Sequence, residues 1–235
     1  MKINYALMGS NQSLYYDFWS PVSKVWKDKF NIIPVLGYIT NRNTDFYEDE
    51  NGCLVKEFQR VDFCNEAFQS QIVRLFLPKF LDGVCITTDV DKLPLSKKYF
   101  IHDIEKYDDD DLLIFSSNHP STKDINQYPM CYVASHSSVF NKIFNLDVNW
   151  ETFLKNVKNI GWYSDQVFLY EKIKNYNYPK LQLLERQWVS DYQVDREKWV
   201  YDPIKVKEGH YIDSHLLKWY SGYKKEIDTL IDLIN

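Results

Sequence analysis

Short runs rich in β-branched residues alternate with stretches of helical periodicity, and this alternation restricts the fold of the chain more than any other feature. Residues 3–8 predict a buried strand that ends in a turn at Gly9-Ser10. Residues 15–30 place apolar side chains near helical spacing, with Pro21 suited to a first turn. Residues 32–39 predict a second strand, and the polar stretch 41–52 a loop. Residues 65–81 predict a helix with Phe68, Ile72, Leu75 and Phe76 on one face. Residues 83–88 then return to strand, as do 112–116 and 130–134. Helices are predicted over 150–160, over 164–174 with Ser164 as its N-cap, and over 224–234. Two further short strands are predicted over 187–194 and 204–211. The order implies an α/β fold with a mostly parallel central sheet flanked by helices. Ligands of such sheets sit in the loops at the carboxyl ends of the strands.

Length and charge narrow the function. At 235 residues without a Pro/Gly/Ser-rich hinge or a repeat, the chain reads as a single domain, 1–235. Its 28 basic and 33 acidic residues leave a net charge of −5. That balance speaks against a general nucleic-acid or anionic-membrane binder. No GxGxxG or GxxxxGK is present, so dinucleotide and P-loop fingerprints are absent. Cys53, Cys64, Cys85 and Cys131 form no CxxC pair and read as free thiols of a reducing compartment. With no apolar run near the roughly 18 residues of a membrane span, a cytoplasmic protein is expected.

The strand expected at 83–88 runs directly into Thr87-Thr88-Asp89-Val90-Asp91. Two carboxylates two residues apart on extended chain lie on the same side, roughly 7 Å apart. A hard divalent cation takes oxygen ligands and shares them with phosphate oxygens, so Asp-x-Asp at a strand end suits a metal diphosphate. The same tripeptide also serves as a solvated acidic turn.

The preceding helix carries Arg74-Leu75-Phe76-Leu77-Pro78. That run, then a strand, then Asp89-Val90-Asp91, resembles the nucleotide-sugar glycosyltransferases of the GT-A fold. Family 8, the glycogenin-like and lipopolysaccharide-galactosyltransferase-like enzymes, shows Arg-Leu-x-x-Pro-x-Leu-Leu, a strand, and Asp-x-Asp. The resemblance implies that Asp89 and Asp91 hold Mn²⁺ or Mg²⁺ with the nucleotide diphosphate, and that Arg74 reaches the donor. It also implies a nucleotide-sugar-binding half over 1–100 and an acceptor half with a C-terminal metal-ligand loop over 101–235. Gly9, at the end of the first strand, and Thr88 fall on the donor side, with Tyr5, Tyr15 or Tyr16 as candidates to stack on the base.

Two later segments complete the set. Asp165-Gln166, at an expected helix start, matches the family's Asp-Gln pair. An acid there is favoured by the helix dipole, so capping alone also accounts for it. If configuration inverts, Asp165 is the candidate base for the acceptor hydroxyl; if it is retained, Asp165 or Gln166 lies beside the anomeric carbon. Near the end, His210-Tyr211 and Asp213-Ser214-His215 both resemble the late metal histidine of GT-A enzymes, and His215 is the preferred register. Carboxylates with an imidazole suit Mn²⁺ better than Mg²⁺. Lys218 is the candidate to neutralise the leaving diphosphate. The family's Asn-Ala-Gly motif is replaced here by Tyr132-Val133-Ala134-Ser135-His136, which marks a divergent member.

The function expected is transfer of a sugar from a nucleotide-diphosphate donor, UDP-linked first, to a hydroxyl of a glycan or other acceptor. Two alternatives stand beside it. A sugar-phosphate nucleotidyltransferase normally opens with a Gly-rich basic loop, which Gly9-Ser10-Asn11-Gln12 does not supply. A non-catalytic sugar-binding module fits the 17% aromatic content but does not need the acidic pair, Arg74 and a late histidine together.

Overall fold

The computed structural model describes residues 1–11, 15–118, 126–186 and 192–234. An eight-stranded sheet forms the centre, ordered β3-β4-β2-β1-β5-β8-β7-β9. Its strands are β1 (Tyr5–Asn11), β2 (Ile33–Thr40), β3 (Tyr47–Glu48), β4 (Leu54–Gln59), β5 (Val84–Thr87), β7 (Leu112–Phe115), β8 (Val133–His136) and β9 (Leu181–Leu184). β3 and β8 run against the other six, so the sheet is mostly parallel. A second sheet, ordered β10-β11-β6, joins β10 (Gln193–Val194), β11 (Asp213–His215) and β6 (Lys92–Pro94).

The period-two alternation of the strands sorts the core into two layers. Ala6, Met8 and Leu36 face a cluster built on Trp26, Phe100 and Tyr132. Leu7, Val35 and Ile39 face the opposite cluster, where α2 (Glu66–Phe76) contributes Ile72, Val73 and Phe76. The same layer takes α4 (Ser137–Phe144), α5 (Trp150–Lys155) and α6 (Ser164–Tyr176). Asn65 caps α2 by accepting from the Phe68 amide. Among the described residues, no helix is long and apolar enough to cross a membrane.

Several local expectations are corrected. β1 does not turn at Gly9-Ser10 but continues to Asn11, because its parallel register with β2 extends to Asn11 opposite Ile39. The helix expected over 15–30 breaks into a 3₁₀ turn (Tyr16–Phe18), α1 (Trp19–Lys24) and a π-helical turn (Val25–Lys29). The strand expected over 204–211 is instead α7 (Pro203–Lys207): Asp202 accepts from the Ile204 amide, and Pro203 starts the helix. Tyr163, not Ser164, occupies the cap position of α6. Ser164 is its first residue, and its hydroxyl donates to the Gly161 carbonyl at 2.7 Å and accepts from the Ile160 amide at 2.9 Å. Of the strand expected over 187–194, residues 187–191 lie outside the described residues, as does His119; the rest includes β10. Helix α3 (Lys97–Phe100) and the terminal α8 (Lys224–Ile231) complete the chain.

Candidate functional site

β5 delivers the acidic pair. Thr88 donates its amide to the Leu7 carbonyl at 2.9 Å, which ties the end of β5 to β1. The Lys92 amide donates to the Asp89 carbonyl at 3.1 Å, so Asp89-Val90-Asp91 forms a closed turn into β6. β6 then pairs antiparallel with β11, with His215 opposite Lys92. That register, with the Leu216 amide on the Asp91 carbonyl at 3.0 Å, carries the C-terminal segment to the acidic turn.

The two carboxylates meet different partners. Asp89 accepts from the Arg74 guanidinium and from the Cys131 thiol. Asp91 Oδ2 lies 2.5 Å from Arg196 Nη2 and 3.3 Å from His215 Nε2. Arg74 is itself shared: Nη1 also donates to the Thr88 carbonyl at 3.2 Å, and Nη2 lies 2.5 Å from Asp165 Oδ2. The side chains of Arg74 and Asp165 are only 8% and 2% exposed and that of Asp89 30%, so the acid–base–acid chain is buried at its Asp165 end and open at Asp89. The other Asp165 oxygen accepts from the Gln166 amide at 2.9 Å.

Gly9 explains how Arg74 gets there. A side chain at Gly9 would place Cβ 2.0 Å from the Ser70 carbonyl oxygen, and one at Gly37 would meet Val73 at 2.7 Å. The bare backbones of β1 and β2 let α2 settle close to the sheet, which sets its last turn, with Arg74, beside the end of β5. The glycine expected on the donor side thus has a packing role of its own.

Electrostatics follow from burial and pairing. Burial alone would push the Asp89 carboxyl up, but Arg74 and Lys92 carry it below the usual range. Asp91 is lowered in the same way, against its burial, by His215 and Arg196. Asp165 goes the other way: burial pushes its carboxyl up further than Arg74 brings it down. Beside this group, Asp213 takes Arg186 on both oxygens at 3.3 Å and Gln193 at 2.7 Å. Burial opposes its charge, yet Arg186 and Lys92 hold it at about 2.

Asp91 and His215 form one cluster with Arg196, and the Asp89-Val90-Asp91 turn ties it to a second cluster of Arg74, Thr88, Asp89 and Asp165. The Gln166 backbone joins the second, while the Gln166 carbonyl accepts from the Tyr128 amide at 3.2 Å. His210 does not join: its ring stacks on Tyr192 at 4.9 Å. Lys218 is exposed and has no ion-pair partner among the described residues. Tyr16 stacks on Tyr38 at 4.7 Å. Arg196, Cys131, Lys92 and Arg186 were missed by sequence reasoning. Among the described residues, no three His, Cys, Asp or Glu side chains converge closely enough to cage an ion as they stand, because Asp89 is turned toward Arg74.

No family model matches this chain, and no curated protein matches it in sequence. Its fold is similar to that of galactosyltransferase LgtC solved with donor and acceptor sugar analogs, at TM-score 0.51 and 9% identity, covering 100% of this chain and 96% of that one. It is also similar to a glycosyltransferase involved in glycosylation of the major capsid of PBCV-1, at TM-score 0.50 and 10% identity, covering 98% of each chain. At such identities the likeness establishes the fold, the mixed α/β architecture of the GT-A class.

Proposed function

We propose that this chain is a nucleotide-sugar glycosyltransferase, moving a sugar from a nucleotide-diphosphate donor, UDP-linked in our reading, to a hydroxyl of a glycan or other acceptor. One observation carries the proposal: the Asp91 carboxylate and the His215 imidazole, 124 positions apart in the chain (215 − 91), face each other at 3.3 Å where the central strand β5 ends. In an open α/β sheet that end of the strand is where a ligand binds, and the pair adds a donor set suited to a cation.

The expected metal is Mn²⁺ before Mg²⁺, and the residues present fit it. A carboxylate and an imidazole are ligands that Mn²⁺ accepts together, and the Asp91 carboxylate already holds a positive group, the Arg196 guanidinium. Asp91 and His215 would hold the ion, joined by Asp89 on release from Arg74. A divalent cation there supplies positive charge against the leaving diphosphate.

The remaining roles belong to the chain itself. Arg74, held between Asp89 and Asp165, positions both. Asp165 is a better base for its upward-shifted carboxyl, and we assign it to the acceptor hydroxyl if configuration inverts. With retention, Asp165 and Gln166 are assigned beside the anomeric carbon. Thr88 and Gly9 are placed along the donor, and Lys218 is free to meet the diphosphate. All four cysteines are unbridged, which fits cytoplasmic work.

A hydrolysis screen across UDP-, GDP- and dTDP-sugars with Mn²⁺ tests the reading. One donor should turn over, and Asp91→Asn should abolish that turnover while leaving the far-UV spectrum unchanged. Absence of turnover and of binding with every donor sinks the proposal.

A further inference from the structure

We infer that Arg196 is a resident cation on the Asp91 carboxylate, one that a divalent metal displaces. The inference rests on the proposed metal and donor site and concerns which cation the Asp91 carboxylate holds.

Three observations carry it. First, Arg196 Nη2 and His215 Nε2 approach the same oxygen, Asp91 Oδ2, at 2.5 and 3.3 Å. The guanidinium therefore sits on the lone pairs that a metal shared between carboxylate and imidazole would need. Second, a carboxylate this buried, 9% exposed in its side chain, is costly without a counter-ion. Asp89 has Arg74, but Arg74 is already divided between Asp89, the Thr88 carbonyl and Asp165. The charge on Asp91 falls to Arg196, with His215 beside it.

Third, the two arginines differ in how firmly they are held. Arg74 makes three contacts to oxygen through its two terminal nitrogens. Arg196 contacts one carboxylate through one nitrogen, its side chain is 15% exposed, and its buried Nε has no partner among the described residues. A planar fork of five donors meeting one acceptor leaves most of its capacity unused. Such a contact is the one that a divalent ion would break. Release lets the guanidinium satisfy its remaining donors in water or on phosphate oxygens.

The exchange is measurable without turnover. Mn²⁺ alone is titrated into the full chain by calorimetry, for the wild type, Arg196→Gln and Asp91→Asn. A tenfold gain in affinity corresponds to about 1.4 kcal/mol, within what loss of a competing charge-assisted contact returns. Arg196→Gln should therefore bind Mn²⁺ at least about tenfold more tightly than the wild type, and Asp91→Asn should not bind it. In the wild type, Mn²⁺ should also speed amide hydrogen exchange over residues 192–202, a measurement independent of how the variants fold. Equal or weaker Mn²⁺ binding by a folded Arg196→Gln overturns the inference, as does Mn²⁺ binding to wild type with no change over 192–202. UDP is then added, with Mn²⁺ or with EDTA, as a separate arm. If UDP binds while Arg196→Gln gains no Mn²⁺ affinity, the exchange fails and the transferase reading stands. If Mn²⁺ exchange occurs and neither UDP nor the other nucleotide diphosphates bind, the exchange stands and the donor reading fails.

Discussion

Arg74 and Asp165 stand 91 positions apart in the chain, and their side chains meet at 2.5 Å in the interior. With Asp89 on the other arm of the guanidinium, the contact joins the last turn of α2, the end of β5 and the first turn of α6. The sheet is continuous across the same seam, since β5 pairs with β8. The candidate site is therefore built from both halves of the chain, and one cation locks its Asp89 and Asp165 side.

Removing that cation should be expensive. Arg74→Met leaves Asp89 and Asp165 as two carboxylates facing a buried gap. Breaking a buried ion pair from one side costs about 3–5 kcal/mol, and that loss is expected in urea unfolding. Arg74→Lys keeps the charge but cannot fork to both acids, so it should fall between. Adding Asp165→Asn to Arg74→Met should recover part of the loss. An Arg74→Met protein as stable as wild type contradicts the assignment.

Asp213 gives the pH dependence. Its carboxyl is held at about 2 against an ordinary 3.8, its burial outweighed by Arg186 and Lys92. A depressed folded-state value means that the ion pair stabilises above the ordinary value, and that this stability drains away as pH falls toward 2. The difference corresponds to stability on the order of 2 kcal/mol. The gap in urea midpoint between wild type and Asp213→Asn should be flat from pH 7 to 5 and shrink below pH 4. A gap that widens on acidification rules this out.

Close packing of α2 on the sheet makes the two strand glycines unequal. At Gly9 an added Cβ meets a backbone carbonyl at 2.0 Å, which cannot move without shifting α2. At Gly37 it meets the two methyl groups of Val73 at 2.7 and 2.8 Å and its Cβ at 3.3 Å, so a stiff β-branched side chain must shift but no backbone carbonyl is struck. Overpacking costs about 1–3 kcal/mol. Gly9→Ala should reach the top of that range and Gly37→Ala should cost less. Equal destabilisation by the two changes is the adverse result.

What was legible in the sequence was the part carried by local pattern. The apolar face of α2 and the β-branched run of β5 are short-range features and stand where the pattern puts them; the acidic pair follows β5 but on a closed turn and not on extended chain, so its carboxylates meet different partners. β4 was missed because its middle residues, Lys56 and Glu57, are charged yet buried and interrupt the apolar run. Their charges are met from outside the strand: Lys56 donates to the Thr44 carbonyl and Glu57 pairs with Arg42. Arg196 was invisible for a related reason. Within Asp195-Arg196-Glu197-Lys198 it looks like part of a solvated run, while its partner Asp91 lies 105 positions away. Pairings of that length are set by the β10–β11 and β11–β6 registers, which no local pattern encodes.

Cys131 was missed on the same grounds, and it leads to the last expectation. Its thiol donates to Asp89, so the acidic pair is supported by a sulfur that reads as a lone free cysteine in sequence. Burial raises the Cys131 thiol well above its ordinary value, and the Asp89 carboxylate adds to the rise by opposing a second negative charge. Burial also raises Cys53, Cys64 and Cys85. The thiolate is the reactive form, so raising a thiol's titration point lowers its reactive fraction at pH 8. The native protein should therefore react with a disulfide reagent without a fast phase at pH 8, and unfolding in guanidinium should release all four thiols at once. Cys131 should be labelled more slowly than Cys64, the other partly buried thiol, when the native protein is mapped by mass spectrometry. Mn²⁺ should speed it, if drawing Asp89 toward the ion frees the thiol. Rapid labelling of Cys131 in the metal-free protein, ahead of the half-buried Cys64, contradicts the bond to Asp89 and with it the resting geometry assigned to the acidic pair.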